Sequence, residues 1–252
     1  MKPEILSPAG SMEALQAALA AGADAIYLGA SLFGARVHAG FDDEALQAAV
    51  NLAHLQGRRI YVTVNTLLKQ QELQDVRRLL RRLVELRVDA VIVQDMGLVH
   101  VIKREFPGLC IHASTQMSVH NAAGARVLQD LGISRVVLAR ECSLEDIKAV
   151  AKTGIETEVF VHGAMCVSMS GQCLLSSQIG GRSGNRGRCA QPCRLQYTYK
   201  QQTGALLSMR DMNTLEHIPE LLQAGACSFK IEGRLKRPEY VYLVTSKYRK
   251  AL

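Results

Sequence analysis

The stretch EILSPAGSMEALQAALAAGADAIYL, residues 4–28, decides the fold because it holds a strand, a helix and a second strand in one short run. Residues 4–7 form a short apolar run, and apolar residues then recur at helical spacing over residues 12–21. Gly22 precedes the next run, residues 25–28, where a left-handed helix C-cap would turn the chain back. A helix between two such runs predicts two neighbouring parallel strands.

The same alternation repeats along the chain and predicts eight strands in total. Gly132, Gly154 and Gly225 also stand between a predicted helix and the next strand. An eightfold repeat favours an α/β fold of the (β/α)8 TIM-barrel-like class, with an open doubly wound sheet as the alternative. The alternative is weakened because no Gly-x-Gly-x-x-Gly follows the first strand. The other predicted strands are residues 60–64, 90–93, 110–113, 135–138, 156–161 and 228–231, and further predicted helices are residues 44–55, 73–86 and 239–252.

Length and composition allow one sizeable core. The chain has 252 residues, 48% hydrophobic and 21% charged, which excludes a disordered tail and a disulfide-stapled miniprotein. We expect a single domain over residues 1–252, inside a longer natural chain because the last predicted helix stops without a cap. With no basic-then-apolar leader and no run of about 18 apolar residues, we expect a cytoplasmic protein without a membrane span. In that reducing compartment, clustered cysteines are metal ligands or catalytic thiols rather than disulfides.

One connection between strands is much longer than the others. The predicted strand starts at Glu156 and Ser228 are 72 positions apart, whereas other neighbouring starts are 20 to 35 apart. The excess lies at about residues 164–210, directly after the seventh strand, where barrel enzymes build active sites from loops. We therefore expect a cysteine-rich insertion there to carry the chemistry.

Four of the seven cysteines fall in this insertion, separated by six, fifteen and three residues: Cys166, Cys173, Cys189 and Cys193. Structural zinc sites usually have two tight cysteine pairs, which this spacing does not match. Iron–sulfur clusters accept wider spacings and often have a proline near the last ligand, as at Pro192. A metal or cluster site is favoured, while a redox thiol pair and unreactive thiols stay open as alternatives. The scattered Cys110, Cys142 and Cys227 are predicted to be buried free thiols.

Charge is unevenly distributed along the chain, whose net charge is +7. No Asp or Glu occurs between Val159 and Arg210. A basic loop beside a cluster would attract the phosphates or carboxylates of a substrate, or it would offset the negative charge of the cluster; both explanations stay open. With few aromatic residues nearby, base stacking of the single-strand-binding kind is not indicated. The cations of this stretch are Arg182, Arg186, Arg188, Arg194, Lys200 and Arg210.

Polar residues follow the predicted strands, at the barrel end where catalytic groups lie. His162, four residues before the first clustered cysteine, is a candidate acid or base or a hydrogen-bond donor to the ligands, with a structural hydrogen bond as the alternative. Lys230 and Glu232 share a strand face, which indicates either an internal ion pair or a carboxylate-binding pair. Arg36 and His38 could reach the barrel mouth. Further rim candidates, each of which ordinary loop or capping duty also explains, are Ser7, Asn65, Gln94, Asp95, Ser114, Gln116, Arg140 and Glu141.

The helix at residues 73–86 carries four arginines, which indicates a solvated outer face, with an RNA-contacting patch as the alternative. They are Arg77, Arg78, Arg81 and Arg82.

Two adjoining motifs resemble the signature of the U32 peptidase family, also called collagenase-like proteases: EVFVHGAMC at residues 158–166 and GQCLLS at residues 171–176. ILSPAG at residues 5–10 and KIEGR at residues 230–234 resemble the first and last barrel motifs of that family. The resemblance implies a (β/α)8-like catalytic domain, often followed by a further C-terminal domain. It also implies, as in several members, oxygen-independent hydroxylation of tRNA, rRNA or a quinone precursor by a [4Fe–4S] cluster, with prephenate required by the RNA-directed members. Carried over by position, the implied cluster ligands are Cys166, Cys173, Cys189 and Cys193.

The residues themselves do not indicate a protease, since neither a His-x-x-x-His zinc set nor a Gly-x-Ser-x-Gly elbow is present. We expect an iron–sulfur-dependent hydroxylase of an RNA base. A metal-dependent endopeptidase and a non-enzymatic iron–sulfur subunit of a heterodimer are the alternatives. The expected catalytic residues are His162, Lys230 and Glu232, and the expected substrate-binding residues are Asn65, Gln116, Arg140, Arg182 and Arg186.

Overall fold

The computed structural model describes residues 3–34 and 40–252, and its centre is a closed ring of eight parallel strands. The last strand closes on the first, with Leu6 opposite Lys230, so the expected TIM-barrel-like fold is confirmed and the open sheet is not observed. Arg36 and His38 lie outside the described residues. The barrel strands are β1 (Glu4–Pro8), β2 (Ala25–Ala30), β3 (Arg59–Val64), β4 (Ala90–Val93), β5 (Ile111–Ala113), β6 (Arg135–Val137), β7 (Glu156–Gly163) and β8 (Ser228–Ile231).

Helices cover the outside of the barrel, and most begin at a side chain that accepts a hydrogen bond from the first turn, as Ser11 and Asp42 do. The four glycines expected to end helices, at positions 22, 132, 154 and 225, all have φ between 75° and 94°. Local chemistry therefore sets these helix ends, as the sequence predicts. The helices are α1 (Met12–Ala20), α2 (Asp43–Leu55), α3 (Leu73–Glu85), α4 (Met96–Glu105), α5 (Ala122–Asp130), α6 (Leu144–Ala151), α7 (Leu175–Gly180), α8 (Ile218–Gln223) and α9 (Pro238–Ala251).

The apolar core lies between strands and helices, whereas the inside of the barrel holds a chain of buried charges. Nη1 of Arg135 is 2.5 Å from Oε1 of Glu4 and 3.2 Å from Oε2 of Glu158. Nζ of Lys230 is 2.8 Å from Oε1 of the same Glu158. We call Glu4, Arg135, Glu158 and Lys230 the charged column. Because a buried charge needs a partner, the alternating signs give each of these groups an opposite charge inside the barrel.

The arginines of α3 lie on the outer surface, as expected for a solvated helix face. Arg77 pairs with Glu105 and Arg82 with Asp43, with atoms 2.9 Å and 2.7 Å apart. No helix within residues 3–34 and 40–252 is both long and apolar enough to cross a membrane.

Residues 164–211, which we call the cysteine segment, follow β7 and contain little regular structure beyond α7. Two short antiparallel strands, Tyr197–Tyr199 and Gln202–Gly204, form a separate ribbon within it. The chain then returns to the barrel as the strand Met212–Asn213, which pairs antiparallel with Gly163 and His162 at the end of β7. Both ends of the segment are therefore held against the same barrel strand.

Candidate active site

A cavity of about 460 Å³ opens at the carboxyl ends of the barrel strands and is closed on one side by the cysteine segment. It lies where barrel enzymes place their catalytic groups. Ten of the twelve expected site residues meet there, although they are spread over the sequence from β3 to β8. We call it the thiol-lined cavity; those ten residues are Asn65, Gln116, Arg140, Cys166, Cys173, Arg182, Cys189, Cys193, Lys230 and Glu232.

All four clustered thiols line this cavity. Cys166 and Cys189 are exposed, whereas Cys173 and Cys193 are half-buried. Burial raises the pKa of Cys193, and the three neighbouring thiols raise it further against the opposing charge of Arg194. The four thiols therefore share one cavity wall.

No three His, Cys, Asp or Glu side chains of the described residues converge as ligands of a single metal ion. A [4Fe–4S] cluster is held differently, because each of its four cysteine thiolates binds a different iron atom. Four thiols around one cavity therefore suit the donor chemistry of such a cluster. Gly184 lies beside two of these cysteines, since a Cβ there would be in ordinary van der Waals contact, at 3.7 Å, with the Cys173 carbonyl oxygen and Cβ of Cys189.

Arg140 connects the thiols to the polar groups of the barrel. Its Nη2 donates to Oε2 of Glu232 at 3.0 Å, and its Nη1 is 3.8 Å from Sγ of Cys166. The guanidinium carbon lies 4.2 Å from the ring centre of Phe160. Nε of Arg140 is buried and has no hydrogen-bond partner among the described residues. The side chain is therefore positioned to donate to an anionic group beside Cys166.

Lys230 is buried on the cavity floor, at the upper end of the charged column. Its ammonium group donates to Glu158 and lies 4.5 Å from the ring centre of Tyr27. Burial lowers the pKa of Lys230, and the charge of Glu158 opposes that effect. Lys230 thus pairs with Glu158 rather than with Glu232, the partner expected from the sequence, and Glu232 pairs with Arg140.

His162 lies on β7 but is not among the described residues that line the thiol-lined cavity. The register between β7 and β8 shifts by one residue, so that Lys230 faces Phe160 but Ile231 faces His162. This irregularity turns the imidazole towards α9, where Nδ1 is 3.4 Å from Oη of Tyr248. Burial lowers the pKa of His162.

Arg186 likewise does not line the thiol-lined cavity within the described chain. Its guanidinium binds Oε1 of Glu72 at 2.5 Å and donates to the carbonyl oxygen of Leu67 at 2.6 Å. Hydrogen bonds from Arg186 lower the pKa of Glu72. Arg186 therefore fastens the cysteine segment to the loop after β3.

Arg182 and Arg194 line the cavity, but both also support the fold of the segment. Nε of Arg182 donates to the carbonyl oxygen of Arg188 at 3.2 Å. Arg194 donates to Oγ of Ser208 at 2.7 Å and to the carbonyl oxygen of Met165 at 2.9 Å. Part of the positive charge of this acid-free stretch is thus used to hold its own backbone together.

The segment is also fixed to the barrel rim around Gly171, which has φ of 79°. A Cβ at this position would lie 2.4 Å from the carbonyl oxygen of Gln116, so only glycine permits the approach. Close by, Glu141 accepts hydrogen bonds from the backbone N–H and the hydroxyl of Ser170, at 2.8 Å and 2.9 Å. Nε2 of His120 lies 3.0 Å from the same carboxylate.

Sequence reasoning missed the role of Arg234, which is 6% exposed and lines the cavity. Its Nη1 donates to Oγ1 of Thr63 at 2.7 Å, and its guanidinium lies 5.6 Å from the ring centre of Tyr27. The KIEGR motif at residues 230–234 was the available signal. Because β8 ends at Ile231, strand alternation does not predict which way Arg234 points.

Some of the other rim candidates line the cavity, and others make structural contacts elsewhere. Nδ2 of Asn65 donates to Oγ of Ser114 at 3.3 Å, and both residues line the cavity. Ser7 instead faces Thr245 on α9, with the two hydroxyl oxygens 2.8 Å apart. Asp95 caps α4 by accepting from the backbone N–H of Leu98.

The remaining thiols are half-buried rather than fully buried. Burial raises the pKa of Cys142 to about 11, and it also raises the pKa of Cys227. They are free thiols, as expected, but they are less buried than the sequence predicts.

Comparison with known proteins gives matches along nearly the whole chain. The profile of Peptidase family U32 matches residues 10–252. The 23S rRNA 5-hydroxycytidine C2501 synthase of Escherichia coli (strain K12) is 42% identical over 257 residues, which cover 99% of this chain and 39% of that protein. The tRNA hydroxylation protein P1 of Bacillus subtilis (strain 168) is 37% identical over 266 residues, which cover 100% of this chain and 63% of that protein. The chain thus spans less than two thirds of the length of either relative.

A solved structure of a U32 peptidase supports the fold. It aligns with a TM-score of 0.62 at 16% identity, covering 92% of this chain and 93% of that chain.

Proposed function

The chain belongs to peptidase family U32, and on that premise we propose that it is an enzyme that hydroxylates a base of tRNA or rRNA. Two relatives that cover nearly the whole chain are named for RNA hydroxylation. The observation that carries the proposal is the thiol-lined cavity, where four cysteines face cationic and polar groups at the carboxyl ends of the barrel strands.

We further propose that a [4Fe–4S] cluster is the cofactor and that Cys166, Cys173, Cys189 and Cys193 hold it. When bound, the cluster supplies the redox-active iron for hydroxylation without molecular oxygen. Its charge would be offset by Arg140, whose guanidinium already lies beside Cys166 and has an unpartnered Nε.

The cavity residues other than the thiols fit an anionic substrate and cosubstrate. Among the described residues, six cations and two acids line the cavity, so its polar wall favours phosphate and carboxylate groups. Lys230 and Arg234 both line the cavity near the Tyr27 ring, with Nζ 4.5 Å and Cζ 5.6 Å from its centre, where they would bind a carboxylate of a small cosubstrate such as prephenate. Asn65 and Gln116 offer amide groups to the edge of a base.

Lys230 and Glu232 are the groups that we propose to hold and move protons at the substrate. The lowered pKa of the buried ammonium makes proton release from Nζ of Lys230 easier than from an ordinary lysine. Glu232 would orient Arg140 and accept a proton at its carboxylate. His162 we propose as a positioning residue, since its imidazole contacts Tyr248 behind β7.

Anaerobic purification followed by iron and sulfide analysis tests the cofactor. We expect equal amounts of iron and acid-labile sulfide, together with the charge-transfer absorbance of a cluster. Stoichiometric zinc without iron would contradict the cluster and favour a metal-dependent endopeptidase instead.

Mass spectrometry of RNA nucleosides tests the reaction. RNA from cells lacking the protein should lack one modified nucleoside that is heavier than its parent by the mass of one oxygen atom. Expression of the natural protein should restore that nucleoside, and a Cys166→Ala variant should not. Unchanged tRNA and rRNA in the deletion strain would contradict RNA hydroxylation.

A further inference from the structure

A second crevice adjoins the thiol-lined cavity, and its walls are chemically different. It has a volume of about 570 Å³ and shares Gln116, Gly171 and Asn185 with the thiol-lined cavity. Its other walls come from the loops after β4 and β5 and from α5. We call it the amide crevice, after five lining side chains: Gln94, Gln116, Asn121, Gln172 and Asn185.

No Asp, Glu, Lys or Arg is among the described residues that line the amide crevice. Its one titratable lining residue in that part of the chain, His120, already has Nδ1 against the Ser118 carbonyl and Nε2 against Glu141. Met96 and Val127 provide apolar wall and are 47% and 58% exposed. Because the imidazole of His120 is already paired with Glu141, a phosphate or carboxylate would find no free countercharge among these described residues. A flat, neutral group with polar edges and apolar faces would fit, and nucleobases are such groups.

Two of the crevice amides have buried oxygens without a partner. Gln94 is only 8% exposed, and its Oε1 has no hydrogen-bond partner among the described residues. Oε1 of Gln116 is also buried and has no hydrogen-bond partner among them. The oxygen of Asn121, by contrast, accepts from the backbone N–H of Gly124 at 2.9 Å. Unpartnered buried acceptors are costly, so a donor that reaches them is bound favourably. Rotation of a terminal amide is soft, which lets either oxygen turn towards the crevice.

We propose that the amide crevice binds a nucleobase that carries an exocyclic amino group, beside the nucleotide that enters the thiol-lined cavity. The amino group donates to the oxygens of Gln94 and Gln116, while the faces of the base pack against Met96 and Val127. Adenine, cytosine and guanine carry an amino group, and uracil does not. The inference rests on the proposed function, because it takes single-stranded RNA as the ligand, and it adds that a neighbouring base selects the site of modification.

The test uses fluorescein-labelled single-stranded RNA octamers and fluorescence anisotropy. One octamer contains only uridine, and three others carry a single internal adenosine, cytidine or guanosine. The wild-type protein should bind these three about fivefold more tightly than the uridine octamer, the scale of one hydrogen bond. Gln94→Leu leaves only the acceptor of Gln116, so it should clearly reduce this preference, and it should keep the affinity for the uridine octamer because the phosphate contacts lie elsewhere. The matched control is Gln129→Leu, an exposed residue of α5 outside the crevice, which should keep the preference.

Gln94 is nearly buried, so its substitution could disturb folding. A second measurement therefore uses only the wild-type protein. An octamer with N6,N6-dimethyladenosine cannot donate from its amino group and should lose the fivefold preference that adenosine gives. Tight binding of all octamers without preference, or a preference that Gln94→Leu and dimethylation leave intact, would overturn the crevice assignment and leave RNA hydroxylation standing. Failure of the wild-type protein to bind any octamer would overturn the proposed function as well.

Discussion

Inside the barrel, the buried charges have partners within the chain, whereas the thiols of the cysteine segment face an open cavity. Glu158 is fully buried between Arg135 and Lys230, with atoms 3.2 Å and 2.8 Å apart. Cys166 and Cys189 are exposed, in a segment whose own arginines are needed to hold its backbone. The charges of the column therefore pair with one another when the chain folds. The thiols of the cysteine segment, by contrast, are left accessible to a bound group. Loss of a column residue should lower the free energy of unfolding, and loss of a thiol of the cysteine segment should lower the proposed activity.

Cys173→Ala gives the largest expected effect and separates those two costs most sharply. The variant should lose the proposed cluster and all hydroxylation, because one of the four proposed thiolate ligands is missing, while the barrel unfolds at nearly the wild-type urea concentration. Iron and sulfide content, nucleoside mass spectrometry and urea unfolding of the apoproteins measure the three properties.

Cys227→Ala is the matched control for this change. Cys227 is half-buried, donates to the carbonyl oxygen of Thr157 and does not line the thiol-lined cavity. It should keep full iron content. A complete cluster in Cys173→Ala, or its loss in Cys227→Ala, would show that the ligand set is wrongly assigned.

Glu158→Gln tests the contribution of the charged column to stability. Removal of this carboxylate leaves Lys230 and Arg135 short of a buried countercharge, which should lower the free energy of unfolding by about 3–5 kcal/mol. Urea unfolding of the metal-free protein measures it. Glu156→Gln is the control, because its carboxylate is 38% exposed and also pairs with Arg135. Equal stabilities of the two variants would mean that the charged column does not depend on burial.

The barrel could be predicted from sequence because its determinants are local. β4 and β8 begin and end at the expected residues, and the four helix-ending glycines have the expected positive φ. These features depend on runs of neighbouring residues, whose hydrophobic period and backbone conformation can be recognised without tertiary information. The position of the long connection after β7 could also be predicted, from the spacing between the starts of the predicted strands.

The direction of individual site residues could not be predicted in this way. His162 points to α9 because of a register shift with β8, a strand about 70 positions later in the chain. Arg186 is engaged by Glu72, which is separated from it by 114 positions. Lys230 pairs with Glu158 rather than with its strand neighbour Glu232. Each outcome depends on tertiary pairing, so the sequence predicts which residues gather around the cavity better than it predicts where their side chains point.

Arg186→Gln should have a smaller effect, confined to the cysteine segment. The pair with Glu72 is partly exposed, so its loss should lower global stability by at most about 1 kcal/mol. Chymotrypsin should nevertheless cleave the segment faster, because its attachment to the loop after β3 is lost. The control is Arg78→Gln, which removes an exposed pair with Asp75 on α3. Faster cleavage in both variants, or in neither, would argue against a fastening role for Arg186.

The smallest expected effect is a pH dependence of the attachment at His120, Glu141 and Ser170. Burial disfavours the charged imidazole, but the Ser118 carbonyl and Glu141 outweigh it and raise the pKa of His120. Burial also opposes ionisation of Glu141, but hydrogen bonds from Ser170 and His120 lower its pKa. The imidazolium therefore stabilises the attachment below the ordinary histidine pKa of about 6.5 and stops doing so as pH rises through its raised value.

Glu158 of the charged column titrates in another range, which makes its contribution separable by pH from that of His120. Burial of Glu158 works against its charge, yet Lys230 and Arg135 lower its pKa to about 2, so its contribution is lost only in strong acid. Between about pH 6 and pH 8, hydrogen exchange at residues 166–173, corrected for the intrinsic rate, should speed up, while exchange in β7 and β8 stays constant. In His120→Gln this pH dependence should vanish, because the titrating group is gone. A dependence that persists in the variant would assign the attachment to another group, and parallel changes in the barrel strands would mean that the two regions open together.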